Sequence, residues 1–133
     1  MIINFTVCIT YFFKRNNIVN LIKKLKIDAN KDMEIIVSND NPSEKLKIQN
    51  HPRIKIFNNK KKIRGEIDNI KFLISKAKGR YVCIIADDDL IHSQTFELIR
   101  KDKYRHLNYL SESTTNLSEL GFKKKRKNIL AKN

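Results

Sequence analysis

The sequence predicts an α/β domain built on a mostly parallel sheet of about four strands flanked by helices. Three observations carry this reading. Short apolar runs rich in β-branched residues alternate with stretches whose apolar residues recur at helical spacing. The runs are apolar throughout rather than alternating, the pattern of strands covered on both faces. Gly (3) and Pro (2) are too scarce among 133 residues for a loop-rich or all-β domain. An apolar content of 41% supports one packed core, and the length suits one domain.

Each element has its own signal. Ile3–Tyr11 reads as a buried first strand. Asn16 or Asn17 caps a helix in which Ile18, Leu21, Ile22 and Leu25 recur at i, i+3, i+4 and i+7. Glu34–Ser38 is a second strand, closed by the turn formers Asn39, Asp40, Asn41, Pro42 and Ser43. Ser43–Ile48 reads as a helical turn, and Arg53–Phe57 as a third strand after Pro52. A basic loop runs from Asn58 to Arg64 and is punctuated by Gly65. Ile67, Ile70, Leu73, Ile74 and Ala77 mark a second amphipathic helix, with Gly79 where a helix C-cap belongs. Tyr81–Ala86 is the most apolar strand and runs into Asp87, Asp88 and Asp89. Ser93 caps a third helix carrying Phe96, Leu98, Ile99 and Leu107. The pattern dissolves from Ser111, so the expected division is a domain over 1–110 and a basic, poorly ordered tail over 111–133 that includes the run Lys123–Lys127. Crossovers between the parallel strands should be right-handed.

Composition narrows the function. No apolar run approaches the roughly 18 residues of a membrane span. Cys8 and Cys83 lie inside apolar runs and lack the spacing of a metal or disulfide framework, so they read as buried free thiols in a reducing compartment. The N-terminal stretch has no basic residue ahead of it and is interrupted by Asn4, Thr6 and Thr10, unlike a signal peptide, and a cytoplasmic location is expected. The net charge of +14 suits nucleic acid, an anionic membrane face or a phosphorylated ligand. Lys, Asn and Ile also crowd the chain, as AT-rich codons favour, so the charge alone does not demand a partner. Nucleic acid is the weaker reading, since adjacent aspartates repel phosphates and no helix-turn-helix, zinc or RNA-binding aromatic signature occurs.

In open parallel sheets, ligands bind beyond the carboxyl ends of the strands at a topological switch point. Thr10 and Tyr11 leave the first predicted strand, Asn39 and Asp40 the second, and Asp87, Asp88 and Asp89 the most buried one. These clusters are far apart in sequence, and this fold brings them to one edge. Three adjacent carboxylates repel one another, and a hard divalent ion, Mg²⁺ or Mn²⁺, would offset that cost while sharing substrate phosphates. The alternative is a solvated turn leading into the Ser93 cap. Asp40 suits either a ribose or base edge or an Asx turn beside Pro42, and Thr10 and Tyr11 suit either a base pocket or strand-end packing.

Four stretches in register carry a resemblance. Val7–Arg15 resembles the opening strand and the Thr-Tyr-Asn-Arg-like exit of glycosyltransferase family 2, and Glu34–Asn41 resembles its E-I-I-V-x-D-D-x-S segment. Ala77–Val82 resembles A-K-G-E-Y-I, and Ile84–Leu90 resembles the Asp-x-Asp (DXD) block. Gly65 and Asn69 fit the family's N-x-G-x-x-x-N segment more loosely. The resemblance implies the N-terminal, nucleotide-sugar-binding part of a Rossmann-like GT-A fold, and hence a transferase that passes a glycosyl group from a nucleotide-diphosphate sugar, UDP-linked, to an acceptor hydroxyl in polysaccharide or lipopolysaccharide assembly. It implies that Asp40 hydrogen-bonds uracil or ribose, that Thr10 and Tyr11 line the base pocket, and that Asp87, Asp88 and Asp89 bind metal and diphosphate, with two of the three as ligands. Lys60, Lys61, Lys62 and Arg64 are candidates for assisting the diphosphate, beside a reading as a solvated basic loop. His92 resembles a family histidine, beside a reading as a surface-turn residue. Ala86 and Asn39 depart from the family pattern of acids.

The family continues past the Asp-x-Asp block into an acceptor-binding half that supplies the catalytic base. Glu97, Asp102, Glu112 and Glu119 stand in no such motif. The expectation is therefore a truncated or degenerate copy with its catalytic base unassigned, which binds a nucleotide without completing transfer or acts with another chain. The acceptor of the transferase reading would be a sugar or lipid-linked molecule; the competing readings are a non-catalytic interaction module in polysaccharide or lipopolysaccharide assembly, touching a membrane surface through its basic tail, and a basic nucleic-acid-binding protein.

Overall fold

The structure, a computed structural model, describes residues 1–12, 17–61, 63–89, 91, 94–101 and 128–131. The elements run β1 (Phe5–Tyr11), α1 (Asn17–Lys24), β2 (Met33–Asn39), β3 (Ile54–Asn58), α2 (Glu66–Lys76), β4 (Tyr81–Ala86), α3 (Thr95–Lys101) and β5 (Asn128–Ala131). Sheet order is β3-β2-β1-β4-β5. The first four strands are parallel, with Val7 level with Ile35 on one side and Cys83 on the other. The predicted fold class is thus observed.

The two-residue period of the strands divides the core. Odd-numbered side chains of β1, β2 and β4, such as Val7, Ile35 and Ile85, pack with Leu21 of α1, with Leu25 just past its end, and with Phe96 and Ile99 of α3. Even-numbered Cys8, Ile36 and Val82 pack with Leu73 and Ala77 of α2 on the opposite face. Both cysteines are buried and in no disulfide. No helix among the described residues is long and apolar enough to cross a membrane.

Several expectations need correction. The segment 44–50 forms no helical turn. The side-chain amides of Asn39 and Asn58 take its backbone groups instead: Asn39 Nδ2 donates to the Glu44 carbonyl, and the Leu46 amide donates to Asn58 Oδ1 at 2.9 Å. Gly79 is not a helix cap. Helix α2 ends at Lys76 with Ala77 as its C-cap, whose amide donates to the Leu73 and Ile74 carbonyls, and Gly79 lies against the backbone of β1. Ile67 and Leu98, read as core residues, are 70% and 49% exposed. Asn69 rather than Ile67 turns inward on α2, because Ser38 on β2 donates a hydrogen bond to its Oδ1. Residues 128–131, inside the expected tail, form β5 antiparallel to β4, where Ile129, Leu130 and Ala131 continue the strand pattern on the open edge of the most apolar strand. The caps at Asn16 and Ser93, Leu107, and the remainder of 111–133 lie outside the described residues.

Two arginines fasten the connection between α1 and β2. The Arg53 guanidinium donates to the carbonyls of Ile27 (2.7 Å), Asn30 (2.7 Å) and Met33 (2.8 Å). Arg100 on α3 forks onto both carboxylate oxygens of Asp32 and reaches Asn30 Oδ1 at 2.9 Å. Burial pushes the Asp32 carboxyl upward, but hydrogen bonds from Arg100 and Asn4 and the Arg100 charge outweigh it, so the group sits below its ordinary 3.8. A depressed folded value stabilises the fold above pH 3.8, and that contribution fades as pH falls through the folded value. Arg100→Ala should therefore cost roughly 1–2 kcal/mol at neutral pH. Urea unfolding of both proteins should show that gap narrowing well below pH 3.8.

Candidate functional site

The strand order creates a switch point. From β1 the chain moves outward through β2 and β3, then returns to place β4 on the other side of β1. The carboxyl ends of β1 and β4 therefore open a crevice between diverging connections, where such sheets bind ligands. A cavity of about 390 Å³ lies there. Thr10, Tyr11, Asp40 and Asp87 all line it, so three of the predicted clusters do meet. Phe12, Ile63, Gly65, Glu66 and Asn69 complete the wall.

Local structure explains each position. The Asp87 amide donates to the Thr10 carbonyl at 3.1 Å, and the Asp40 amide donates to the Tyr11 carbonyl at 2.9 Å. These bonds extend the sheet pairing one step past the strands and hold both acids beside the end of β1. Tyr11 is 2% exposed, with its ring in the core and its hydroxyl donating to Glu44 Oε1 at 3.2 Å. Burial first, then Glu44 and the Asp87 charge, raise its pKa above the ordinary 10.0, so it remains a neutral hydrogen-bonding group.

Asp40 is the organising residue. Its side chain is buried and accepts hydrogen bonds from the Arg64 amide (2.9 and 3.0 Å to the two oxygens), the Gly65 amide (3.1 Å) and Asn59 Nδ2 (2.9 Å). It thereby ties the basic loop to the sheet and covers backbone donors ahead of the first turn of α2. Gly65 makes this possible: at φ 82° and ψ 166° it occupies a region open almost only to glycine. The carboxylate faces the loop in this structure, whereas the resemblance implies a base or ribose contact. Arg64 also departs from its candidate role. Its guanidinium lies 4.0 Å from the centre of the Phe72 ring, and the lining does not include it. Lys60 and Lys61 are exposed and outside the lining. Lys62 and His92 lie outside the described residues.

The turn after β4 supplies the acidic edge. The Ala86 amide donates to Asp89 Oδ2 at 2.8 Å, and the Asp89 amide donates to the Ala86 carbonyl at 3.1 Å. One Asp89 oxygen is thus committed to closing the turn. Asp88 and Asp89 are half-buried and stand outside the cavity lining that Asp87 joins. Among the described residues no three His, Cys, Asp or Glu side chains form a group able to hold a metal ion. A set of one or two carboxylates does not suit a closed zinc site. It fits Mg²⁺ or Mn²⁺, which keep waters and take phosphate oxygens.

Sequence reasoning missed Ile63, Glu66 and Phe12 as wall residues. Their signal was position alone: Ile63 lies two residues before Gly65, Glu66 follows it, and Phe12 follows Tyr11.

Comparison with known proteins identifies the family and the fold. The profile described as glycosyl transferase family 2 matches residues 6–111. The GalNAc(5)-diNAcBac-PP-undecaprenol beta-1,3-glucosyltransferase of Campylobacter jejuni subsp. jejuni serotype O:2 is 36% identical over 109 residues, 74% of this chain and 35% of that protein. Residues 1–349 of S. aureus TarS in complex with UDP-GlcNAc superpose with a TM-score of 0.66 at 19% identity, over 78% of this chain and 32% of that one. The same fragment in complex with UDP gives 0.61 at 16% identity, over 78% of this chain and 33% of that one. This chain spans about a third of the length of these relatives. The fold is the Rossmann-like GT-A fold, and with the profile running from within β1 to beyond α3, the chain belongs to glycosyl transferase family 2.

Proposed function

We propose that this chain binds a UDP-linked sugar in the crevice between β1 and β4 and serves transfer of the glycosyl group to an acceptor hydroxyl. The observation that carries the reading is the convergence of Thr10, Tyr11, Asp40 and Asp87 on one cavity at the switch point. The first turn of α2 adds Gly65 and Glu66 to that wall, and a helix N-terminus favours a diphosphate nearby. Asp87 and Asp88 would hold Mg²⁺ or Mn²⁺, with Asp89 bracing their turn. The ion, when bound, offsets the charge that builds on a departing diphosphate. Tyr11 and Thr10 shape the floor against the base, and Asp40 fixes the loop that closes the side. The named activity of the Campylobacter relative supports a lipid-linked acceptor.

Titration calorimetry with UDP and Mn²⁺ tests the reading. The wild-type chain should bind UDP more tightly with the ion than without it. Asp87→Asn combined with Asp88→Asn should remove that metal-dependent gain, a loss of about tenfold or more. Unchanged UDP heats in the double variant would refute the site.

A further inference from the structure

A cavity that the donor reading leaves unused lies at the other end of the sheet. It has a volume of about 530 Å³, larger than the donor crevice. It opens between the C-terminal end of α1 and the segment that precedes β3. Residues 25–32 connect this end of α1 to β2, where Arg53 fastens them, so the cavity sits at the amino ends of the strands, a sheet length away from Asp87.

Its chemistry has two parts. Ile22, Ile48 and Ile54 form an aliphatic floor continuous with the core. Lys23, Lys26 and Lys47, all exposed, stand around it from two separate segments. The acid in the lining, Asp28, is directed to His51 Nε2 at 3.1 Å. Lys26 adds a second peculiarity. It ends α1 with φ 46°, in the left-handed region where a helix C-terminus ordinarily carries glycine. A lysine there gives up local stability relative to glycine and gains a long cationic stem over an apolar opening.

We infer that this cavity is a docking site for an anionic phospholipid surface, the three lysines meeting headgroup phosphates and the isoleucine floor receiving the upper part of one lipid. Charge complementarity selects the occupant. A second copy of a chain with net charge +14, or its own basic run Lys123–Lys127, would be repelled by the rim. An aliphatic floor with three exposed lysines in its lining matches an amphiphile with a negative head, the pairing used by interfacial helices.

Sedimentation with vesicles of phosphatidylglycerol and phosphatidylcholine tests this on the full chain. The wild type should bind these and ignore pure phosphatidylcholine. Each groove lysine should contribute about fivefold, so Lys23→Gln, Lys26→Gln and Lys47→Gln together should weaken binding about a hundredfold. Lys71→Gln, Lys76→Gln and Lys78→Gln, which remove the same charge on the α2 side, should change it only about twofold. Lys26→Gly should raise Tm while lowering vesicle binding, a divergence that a purely structural lysine would not produce. Equal losses in both triple variants would assign the binding to diffuse charge and overturn the site. So would absence of wild-type binding, displacement by millimolar glycerol 3-phosphate, or lysine-dependent binding of a polyglutamate peptide without vesicle binding. The variant carrying Asp87→Asn and Asp88→Asn should bind vesicles normally, so failure here and failure of the donor reading are separable.

Discussion

Gly79→Ala should strongly destabilise the fold. A methyl group at this position would lie 2.5 Å from the Thr6 amide nitrogen and 2.6 Å from the Phe5 carbonyl carbon, distances that real Cβ atoms do not tolerate. Both are backbone atoms of β1, which pairs with β2 and β4 at once and has no freedom to retreat. The surroundings add rigidity. The Gly79 amide donates to Thr6 Oγ1 at 2.8 Å, Thr6 Oγ1 donates to Glu34 Oε1 at 2.7 Å, and the Lys78 amide donates to the same Glu34 oxygen at 2.6 Å. Glu34 and Thr6 are buried, so displacing this knot would strand polar groups away from water. The combined overlap and lost bonding should cost roughly 3 kcal/mol or more, a large part of the roughly 5–15 kcal/mol that holds a domain together. Thermal melting followed by circular dichroism checks it. Adding Thr6→Ala should not rescue the variant, because the nearest atoms are main-chain. A melting curve within about 2 °C of wild type would refute the argument, since even 1 kcal/mol shifts Tm by several degrees at this size.

The second large effect is expected at Asp40. Asp40→Ala should weaken UDP binding by about a hundredfold while lowering stability by only about 2 kcal/mol, because the stranded donors sit in a loop that water can reach. Asp40→Asn should be nearly as damaging. Oδ1 accepts from Asn59 Nδ2 and the Arg64 amide, and Oδ2 from the Arg64 and Gly65 amides. Either orientation of an asparagine amide would point its NH₂ at a donor. The distinguishing readout is amide hydrogen exchange without nucleotide. Arg64 and Gly65 should exchange much faster in both variants if Asp40 positions the loop. Unchanged exchange with lost UDP binding would instead make Asp40 a direct contact, as the family resemblance implies.

The parallel sheet was legible because Val7, Ile36 and Ile85 belong to runs that are apolar on both strand faces, a pattern few other architectures need. The meeting of Thr10, Asp40 and Asp87 followed from strand order alone, since strand exits on one edge converge whatever their sequence distance. What remained hidden depends on contacts between distant residues. Gly79 sits at a position that suits a helix cap, and only the approach of Phe5 and Thr6 shows why a side chain is forbidden. Asn69 lies on a helix whose periodicity favours Ile67, and Ser38 reverses that preference by offering a partner across 31 residues. Asn39 and Asn58 pull the segment 44–50 out of helix through side-chain bonds that no local pattern announces.

The position of β1 between β2 and β4 bears on synthesis as well as on binding. A chain emerging from the ribosome completes β1 and β2 early, but β4 arrives some seventy residues after β1. Throughout that interval one side of β1 offers unsatisfied main-chain groups and bare aliphatic surface to any neighbouring chain. Yield of soluble protein should therefore depend on how quickly translation passes Ala86, and slower decoding between β2 and β4 should favour aggregates over folded product.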